Sequence, residues 1–159
     1  MSYLLDTNVI SAVAPTRSDR PHALVDWLDR ASAELYLSVV TSAEIRDGVA
    51  KAQREGAVRK AKVLREWWDA VEHLYAERIL AFDLPAATIA GAMMDRARGA
   101  GQAAGFADVA IAATAEARGL TILTRNVRHF QAIYGRVVNP IDGPLPPLAS
   151  AAPRTPNGL

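Results

Sequence analysis

The stretch SYLLDTNVI, residues 2–10, passes from one apolar segment through a carboxylate into a second apolar segment. Residues 2–6 are predicted to form a buried strand, and residues 7–14 a short helix that Pro15 ends. A strand followed at once by a helix is the start of an α/β unit. A carboxylate beside buried side chains is unfavourable by several kcal/mol unless something pairs with it. Asp6 therefore either caps the helix or holds a ligand.

The same alternation continues along the chain. Further strands are predicted at residues 34–40 (ELYLSVV), 78–83 (RILAFD), 120–124 (LTILT) and 136–140 (RVVNP). Helices are expected to begin near Pro21, at Thr41 or Ser42, after Gly56, at Pro85 and at Phe106, with a short one after Asn126. This order predicts a three-layer α/β/α fold around a parallel sheet.

Composition limits the classes of protein that fit. The chain has 159 residues, 18 basic and 17 acidic, with a formal charge of +1 and no cysteine. Disulfides, thiolate zinc sites and cysteine nucleophiles are therefore excluded. With no visible signal sequence or membrane span, we expect a cytoplasmic protein. Residues 1–142 are expected to form one domain, and residues 143–159, rich in Pro, Ala and Ser, to be disordered or loosely draped.

Four polar residues fall where strands end or helices begin: Asp6, Glu44, Asp108 and Asn126. In an open α/β sheet, ligands bind outside the carboxyl ends of the strands, so these side chains are expected to meet at one rim. Each of three has an alternative role as a cap. Asp6 and Asn126 precede helices, and Thr41-x-x-Glu44 matches a capping box.

Asp108 differs because its helical neighbours are all small or apolar. Ala104, Gly105, Ile111 and Ala112 lie three and four residues away, and no Arg or Lys occupies those positions. The pattern predicts that Asp108 lies on a packed side of the helix with a partner from elsewhere, and a cation fits. Oxygen ligands without His or Cys favour Mg²⁺ or Mn²⁺ over zinc.

Four blocks of the sequence resemble PIN-domain ribonucleases, specifically the toxins of VapBC-type toxin–antitoxin pairs. They are LLDTNVIS, TSAEIRDG, FADVAIAATAEARGLTILTRNVRHF and RVVNP, in order from about residue 3 to residue 140. The resemblance implies Mg²⁺-assisted hydrolysis of RNA phosphodiesters, a cognate VapB-like antitoxin as partner, and a homodimer.

The resemblance also implies roles for individual residues. Asp6 and Asp108 are similar to metal-binding aspartates, and Glu44 and Asn126 complete the catalytic set. Asn126 stands where many relatives have a further aspartate, which leaves a second metal in doubt. Thr7, Asn8 and Thr124 resemble residues that position water or substrate, and Arg125 is a further candidate for contacting phosphate. We assign no general base, since His22, His73 and His129 are expected to have surface or packing roles.

A basic stretch offers a candidate RNA surface. Residues 46–66 contain seven basic and three acidic residues, a local charge of +4. The stretch either lines an RNA groove or is an ordinary solvated helical hairpin. Trp67, Trp68 and Leu74, which follow it, are expected in the core rather than at a dimer surface.

Three other functions share some of these features. A phosphatase of the haloacid dehalogenase type needs a second aspartate where this chain has Asn8, and a lysine near residues 121–126. A receiver-like signalling domain needs adjacent acids after its first strand and a late lysine, and both are missing. A PIN fold that binds RNA or antitoxin without cutting RNA is the third alternative.

Overall fold

A computed structural model of the chain describes residues 1–149, and the end of the tail, residues 150–159, lies outside the described residues. The strands are β1 (Tyr3–Leu5), β2 (Leu35–Ser38), β3 (Ile79–Leu80), β4 (Thr121–Leu123) and β5 (Val137–Val138). The helices are α1 (Thr7–Ala12), α2 (His22–Arg30), α3 (Val39–Arg54), α4 (Val58–Leu74), α5 (Leu84–Gly99), α6 (Phe106–Arg118) and α7 (Val127–Gln131). Short 3₁₀ turns, Ser32–Glu34 and Ala76–Arg78, precede β2 and β3.

The five strands form one parallel sheet in the order β3-β2-β1-β4-β5. Leu4 pairs with Tyr36 on one side and with Ile122 on the other, so β1 lies at the centre. The strand order reverses between β1 and β4, which places the usual ligand-binding crevice at their carboxyl ends. A receiver domain has the order 2-1-3-4-5, so this topology excludes that alternative.

Alternation along the strands divides the core into two halves. Leu4 and Ile122 point to the face covered by α5, α6 and α7. Tyr3, Leu5 and Leu123 point to the opposite face, where α1, α2 and α4 pack. The predicted three-layer α/β/α fold is confirmed. Trp68 is fully buried as expected, whereas Leu74 is 67% exposed, so its predicted core position is wrong.

The predicted boundary between β2 and α3 is wrong. The helix begins at Val39 because the hydroxyl of Ser38 accepts a hydrogen bond from the backbone N–H of Val40 at 3.1 Å. Thr41 is the third residue of the helix and is fully buried. The capping box predicted for Thr41 and Glu44 therefore does not form, and Glu44 is left for another role.

Residues 143–149 lie against the sheet face that carries α2. The indole N–H of Trp27 donates to the carbonyl of Pro146 at 2.8 Å, and the hydroxyl of Tyr3 donates to that of Pro147 at 3.2 Å. Leu145 packs against the same core. These contacts place the start of the predicted tail against the core. Within residues 1–149, no helix is long and apolar enough to cross a membrane.

Candidate active site

Asp6 lies at the carboxyl end of β1 and is only 4% exposed. It is the N-cap of α1, and its Oδ1 accepts a hydrogen bond from the N–H of Thr7 at 2.8 Å. Its Oδ2 accepts a hydrogen bond from the hydroxyl of Thr124 at 2.7 Å. The backbone N–H of Asp6 continues the sheet by donating to Leu123 at 2.9 Å. Both carboxylate oxygens are thus fixed by elements at the crevice between β1 and β4.

Thr124 joins the loop after β4 to the first helix. Besides donating to Asp6, its buried hydroxyl accepts hydrogen bonds from Asn8 Nδ2 at 3.2 Å and from the N–H of Asn126 at 2.9 Å. The side-chain oxygen of Asn8 accepts from the N–H of Arg125 at 3.0 Å. Asn8 and Thr124 therefore order the site through one network, and the sequence could not show that they are bonded to each other.

Glu44 reaches this rim from the second turn of α3. Its Oε2 accepts a hydrogen bond from the hydroxyl of Thr7, which also lies 3.2 Å from the hydroxyl of Thr41. Glu44 itself is exposed. One turn of α1 therefore ties two acids together, because Thr7 bonds to Asp6 through its backbone and to Glu44 through its side chain.

Asp108 lies in the first turn of α6, where the helix dipole favours a negative charge. Its side chain is 31% exposed, so the fully packed environment predicted for it is only partly correct. Nδ1 of His129, on α7, lies 3.7 Å from Asp108 Oδ2. This distance is longer than a hydrogen bond, and the pair is ionic only when the imidazole is protonated. The surface position expected for His129 is correct, but its closeness to Asp108 was missed.

The carboxylates influence one another. Burial raises the pKa of Asp6 from 3.8 to about 6, against the lowering effect of the bonds from Thr124 and Thr7. The negative charges of Asp108 and Glu44 raise it further. Among residues 1–149, no Lys or Arg forms an ion pair with any of these three acids. The site therefore concentrates negative charge that the described side chains do not neutralise.

The donor set suits a hard divalent cation. Asp6 and Asp108 offer carboxylate oxygens without sulfur or a buried imidazole, which is the chemistry that Mg²⁺ and Mn²⁺ prefer. In the described part of the chain, no three His, Asp or Glu side chains are arranged closely enough to hold a metal by themselves. Mg²⁺ keeps several waters and takes one or two carboxylates together with substrate phosphate, so two aspartates are sufficient.

Asn126 occupies the N-cap position of α7, but its side chain makes no cap hydrogen bond. It is exposed, and its described contact with the site is the backbone bond to Thr124. The guanidinium of Arg125 lies on the surface, with Nε 3.4 Å from Asp142. The structure thus brings Asp6, Glu44 and Asp108 within electrostatic reach of one another, and does not place the side chains of Asn126 or Arg125 in contact with them.

Residues 3–135 match the PIN domain family. The chain belongs to the PIN domain family.

Its relatives cover nearly the whole described chain. It is 41% identical over 139 residues to Toxin FitB of Neisseria gonorrhoeae, covering 86% of this chain and 96% of that protein. It is 39% identical over 138 residues to VapC ribonuclease Y4jK of Sinorhizobium fredii, with the same coverage of both chains. The crystal structure of FitAcB from Neisseria gonorrhoeae superposes with a TM-score of 0.76 at 40% identity, covering 87% of this chain and 97% of that one.

The basic stretch of this PIN domain separates into residues with different surroundings. Arg46 is held by Asp69 at 2.8 Å and by Glu72, a carboxylate that also accepts from Trp68 Nε1 at 2.7 Å. Lys62 pairs with Glu66 one turn along α4 at 3.6 Å. The seven basic residues therefore do not form one continuous basic surface. Some are held in ion pairs within the hairpin, and others line a cleft.

Proposed function

We propose that this PIN domain is a Mg²⁺-dependent endoribonuclease that hydrolyses RNA phosphodiesters and acts as the toxin of a toxin–antitoxin pair. The observation that carries the proposal is the buried carboxylate of Asp6, whose pKa is raised to about 6 by burial and by its two acidic neighbours. Burial and the neighbouring acids disfavour the charged form of this group more than its hydrogen bonds favour it, and a bound cation would favour the charged form. The relatives named a toxin and a VapC ribonuclease support the same activity.

Asp6 and Asp108 would hold the metal, with Mn²⁺ as a substitute for Mg²⁺. The bound ion would supply polarisation of the scissile phosphate and a lowered pKa for a coordinated water. The role of Thr124 is to fix Oδ2 of Asp6, and that of Thr7 is to hold Glu44 beside it. Glu44 adds a carboxylate that orients the attacking water.

Asn126 and Arg125 are proposed to contact substrate, because both side chains are exposed beside the rim. Asn8 is proposed to act indirectly, because its side-chain oxygen accepts a hydrogen bond from the backbone N–H of Arg125 and so fixes the position of that residue. These assignments predict that the two kinds of variant change different kinetic constants. Arg125→Ala is expected to raise KM with little change in kcat, whereas Glu44→Gln is expected to lower kcat.

The proposed partners are supported by the same family membership. We infer a cognate VapB-like antitoxin that covers the site, a homodimeric toxin and a cytoplasmic location. Light scattering of the purified protein tests the dimer directly. Co-purification of a small DNA-binding protein expressed from the neighbouring reading frame tests the antitoxin.

The experiment that tests the activity is cleavage of total bacterial RNA by the purified protein in Mg²⁺, in Mn²⁺ and in EDTA. Discrete fragments are expected only with metal, and they should disappear in Asp6→Asn and Asp108→Asn. Asp95→Asn is the matched control, because Asp95 is an 87% exposed carboxylate on α5 whose ion-pair contact is Arg98 at 3.8 Å. Absence of cleavage by a folded, antitoxin-free protein across several RNAs would refute the ribonuclease activity.

A binding module without cleavage is the second candidate, and Asn126 is the observation that favours it. It brings no charge to the rim, and its exposed side chain is not hydrogen-bonded to the acids. The two functions differ in one measurement. RNA binding that persists while no fragment forms in Mg²⁺ or Mn²⁺ would favour the module.

A further inference from the structure

A cleft of about 360 Å³ runs from Glu44 along the hairpin of α3 and α4. Thr7 and Glu44 form its end at the active site, and α1 forms its opposite wall. The volume lies within the range of about 300–1,000 Å³ that is typical of ligand sites. An RNA strand with one phosphate bound at the acids can therefore extend into this cleft on one side.

Lys51 and Lys60 line the cleft, one from each helix of the hairpin. Lys60 has no ion-pair partner among residues 1–149. Lys51 has only a weak one, since its Nζ lies 3.9 Å from Glu55 and both side chains are 60% exposed. Exposed pairs of this kind contribute little, so a phosphate can replace Glu55 as the partner of Lys51. Of the seven basic residues in the stretch, these two are the ones placed along the cleft.

Gly48 lines the same cleft from within α3. Glycine is unfavourable in the middle of a helix, and no positive φ requires it here. Packing does not require it either, because a Cβ at this position would meet no other atom within 4 Å. At this position a glycine leaves the floor of the cleft open, so that a ligand can approach the helix backbone closely.

Trp67 provides an aromatic surface in the same cleft. Lysines that contact phosphates, together with an aromatic side chain on which a base can stack, are the usual elements of single-stranded nucleic-acid sites. An acidic protein segment could also bind the lysines, but nothing about it requires a cleft that ends at Glu44. The combination therefore favours RNA over an acidic peptide.

We propose that this cleft binds the RNA strand on one side of the scissile phosphate, with Lys51 and Lys60 contacting backbone phosphates and Gly48 forming the floor. The proposal rests on the ribonuclease function proposed above and names the path of its substrate. Lys62 does not take part, because it is not among the residues that line the cleft and it pairs with Glu66.

The test is binding of a short, labelled single-stranded oligouridylate in EDTA, measured by anisotropy over a range of salt concentrations. Lys51→Ala and Lys60→Ala are each expected to weaken binding about three- to tenfold. Each should also reduce the slope of log K against log salt by about 0.7, the value for one phosphate contact to single strands. Lys62→Ala, from the same helix as Lys60, should bind like wild type.

Gly48→Leu provides an independent readout. It should raise KM for cleavage in Mg²⁺ by filling the floor, while Gly91→Leu, at an exposed and equally unobstructed glycine of α5, should not. Leucine favours helices, so both variants are expected to fold.

Three results would overturn the proposal. The first is that Lys60→Ala and Lys62→Ala have the same affinity for RNA as each other, whether unchanged or reduced, while the wild-type protein binds and cleaves RNA. The second is Gly48→Leu with unchanged KM. The third uses polyglutamate as a probe for an acidic peptide. If the lysine variants lose polyglutamate binding but keep RNA binding, the cleft is a protein-docking surface. A wild type that neither binds nor cleaves RNA would instead refute the ribonuclease function itself.

Discussion

Replacing Asp6 with asparagine is expected to make the metal-free protein more stable at neutral pH. The carboxylate is 4% exposed, and its pKa is raised from 3.8 to about 6, chiefly by burial and also by the charges of Asp108 and Glu44. Above pH 6 the folded protein therefore carries a buried charge that the unfolded chain solvates freely. Asparagine has the same shape without that charge.

The magnitude follows from the pKa and from the hydrogen bonds. A shift of about two units corresponds to about 3 kcal/mol, which is the penalty that the variant removes. The amide also introduces a donor. Thr124 already accepts from Asn8 and Asn126, and its own hydroxyl loses Asp6 Oδ2 as acceptor, so the lost contact between the new N–H group and Thr124 costs about 1–2 kcal/mol. The expected net gain is about 1–2 kcal/mol, or about 2–8 °C in Tm for a chain of this size.

The assay is thermal or urea unfolding in EDTA, with Asp95→Asn as control, from pH 4 to pH 8. Since the folded pKa lies above the unfolded one, the stabilising contribution of Asp6 is complete below about pH 4 and is lost as the pH rises through about 6. The stability of wild type relative to Asp6→Asn should fall across that window and then remain constant. Mg²⁺ should stabilise wild type more than the variant. An Asp6→Asn protein no more stable than the control at pH 7.5, or a difference independent of pH, would refute the reasoning.

Three further substitutions test the contacts around the site and the core by urea unfolding. Thr124→Val should lower the free energy of unfolding by about 2–3 kcal/mol, because it removes a buried hydroxyl that makes three hydrogen bonds; an unchanged midpoint would contradict this network. Trp27→Phe should cost about 1–2 kcal/mol by leaving the carbonyl of Pro146 without its donor, and hydrogen exchange should increase in residues 143–149. Glu72→Ala should cost about 1–3 kcal/mol, since the buried indole of Trp68 loses its acceptor at 2.7 Å. Full stability would show that the hydroxyl of Ser42, 3.3 Å from the same indole nitrogen, suffices as a partner.

The sequence was sufficient to predict the sheet and the place of Asp6. Apolar residues that alternate with helical segments specify buried parallel strands, and a carboxylate directly after such a strand must lie at its carboxyl end. The position of Asp6 at this rim follows from that rule. The same rule applies to Asp83, but there it gives only a cap, because Asp83 accepts from the N–H of Ala86 and pairs with Arg118 at 2.8 Å.

Contacts between distant segments could not be predicted in this way. The helix α3 was predicted to begin at Thr41 or Ser42, and local rules give no preference for Ser38 over these two residues. Ser38 is selected because β2 ends at that residue in the sheet, which leaves Thr41 buried in the helix. The approach of His129 to Asp108 depends on how α7 packs beside α6, and no spacing along the chain encodes that distance.

Capping and metal binding were set against each other as explanations for Asp6, and the geometry shows that they are compatible. The cap uses one lone pair of Oδ1 and the bond from Thr124 uses one of Oδ2, so each oxygen retains a second lone pair. If capping were the whole role, these two bonds would hold the pKa of Asp6 below its ordinary value. The two hydrogen bonds do lower the pKa of Asp6, but burial and the acids of α3 and α6 raise it by more. The cap therefore orients a carboxylate whose charge no described Lys or Arg neutralises, and this combination of fixed geometry and unneutralised charge is what the proposed metal site needs.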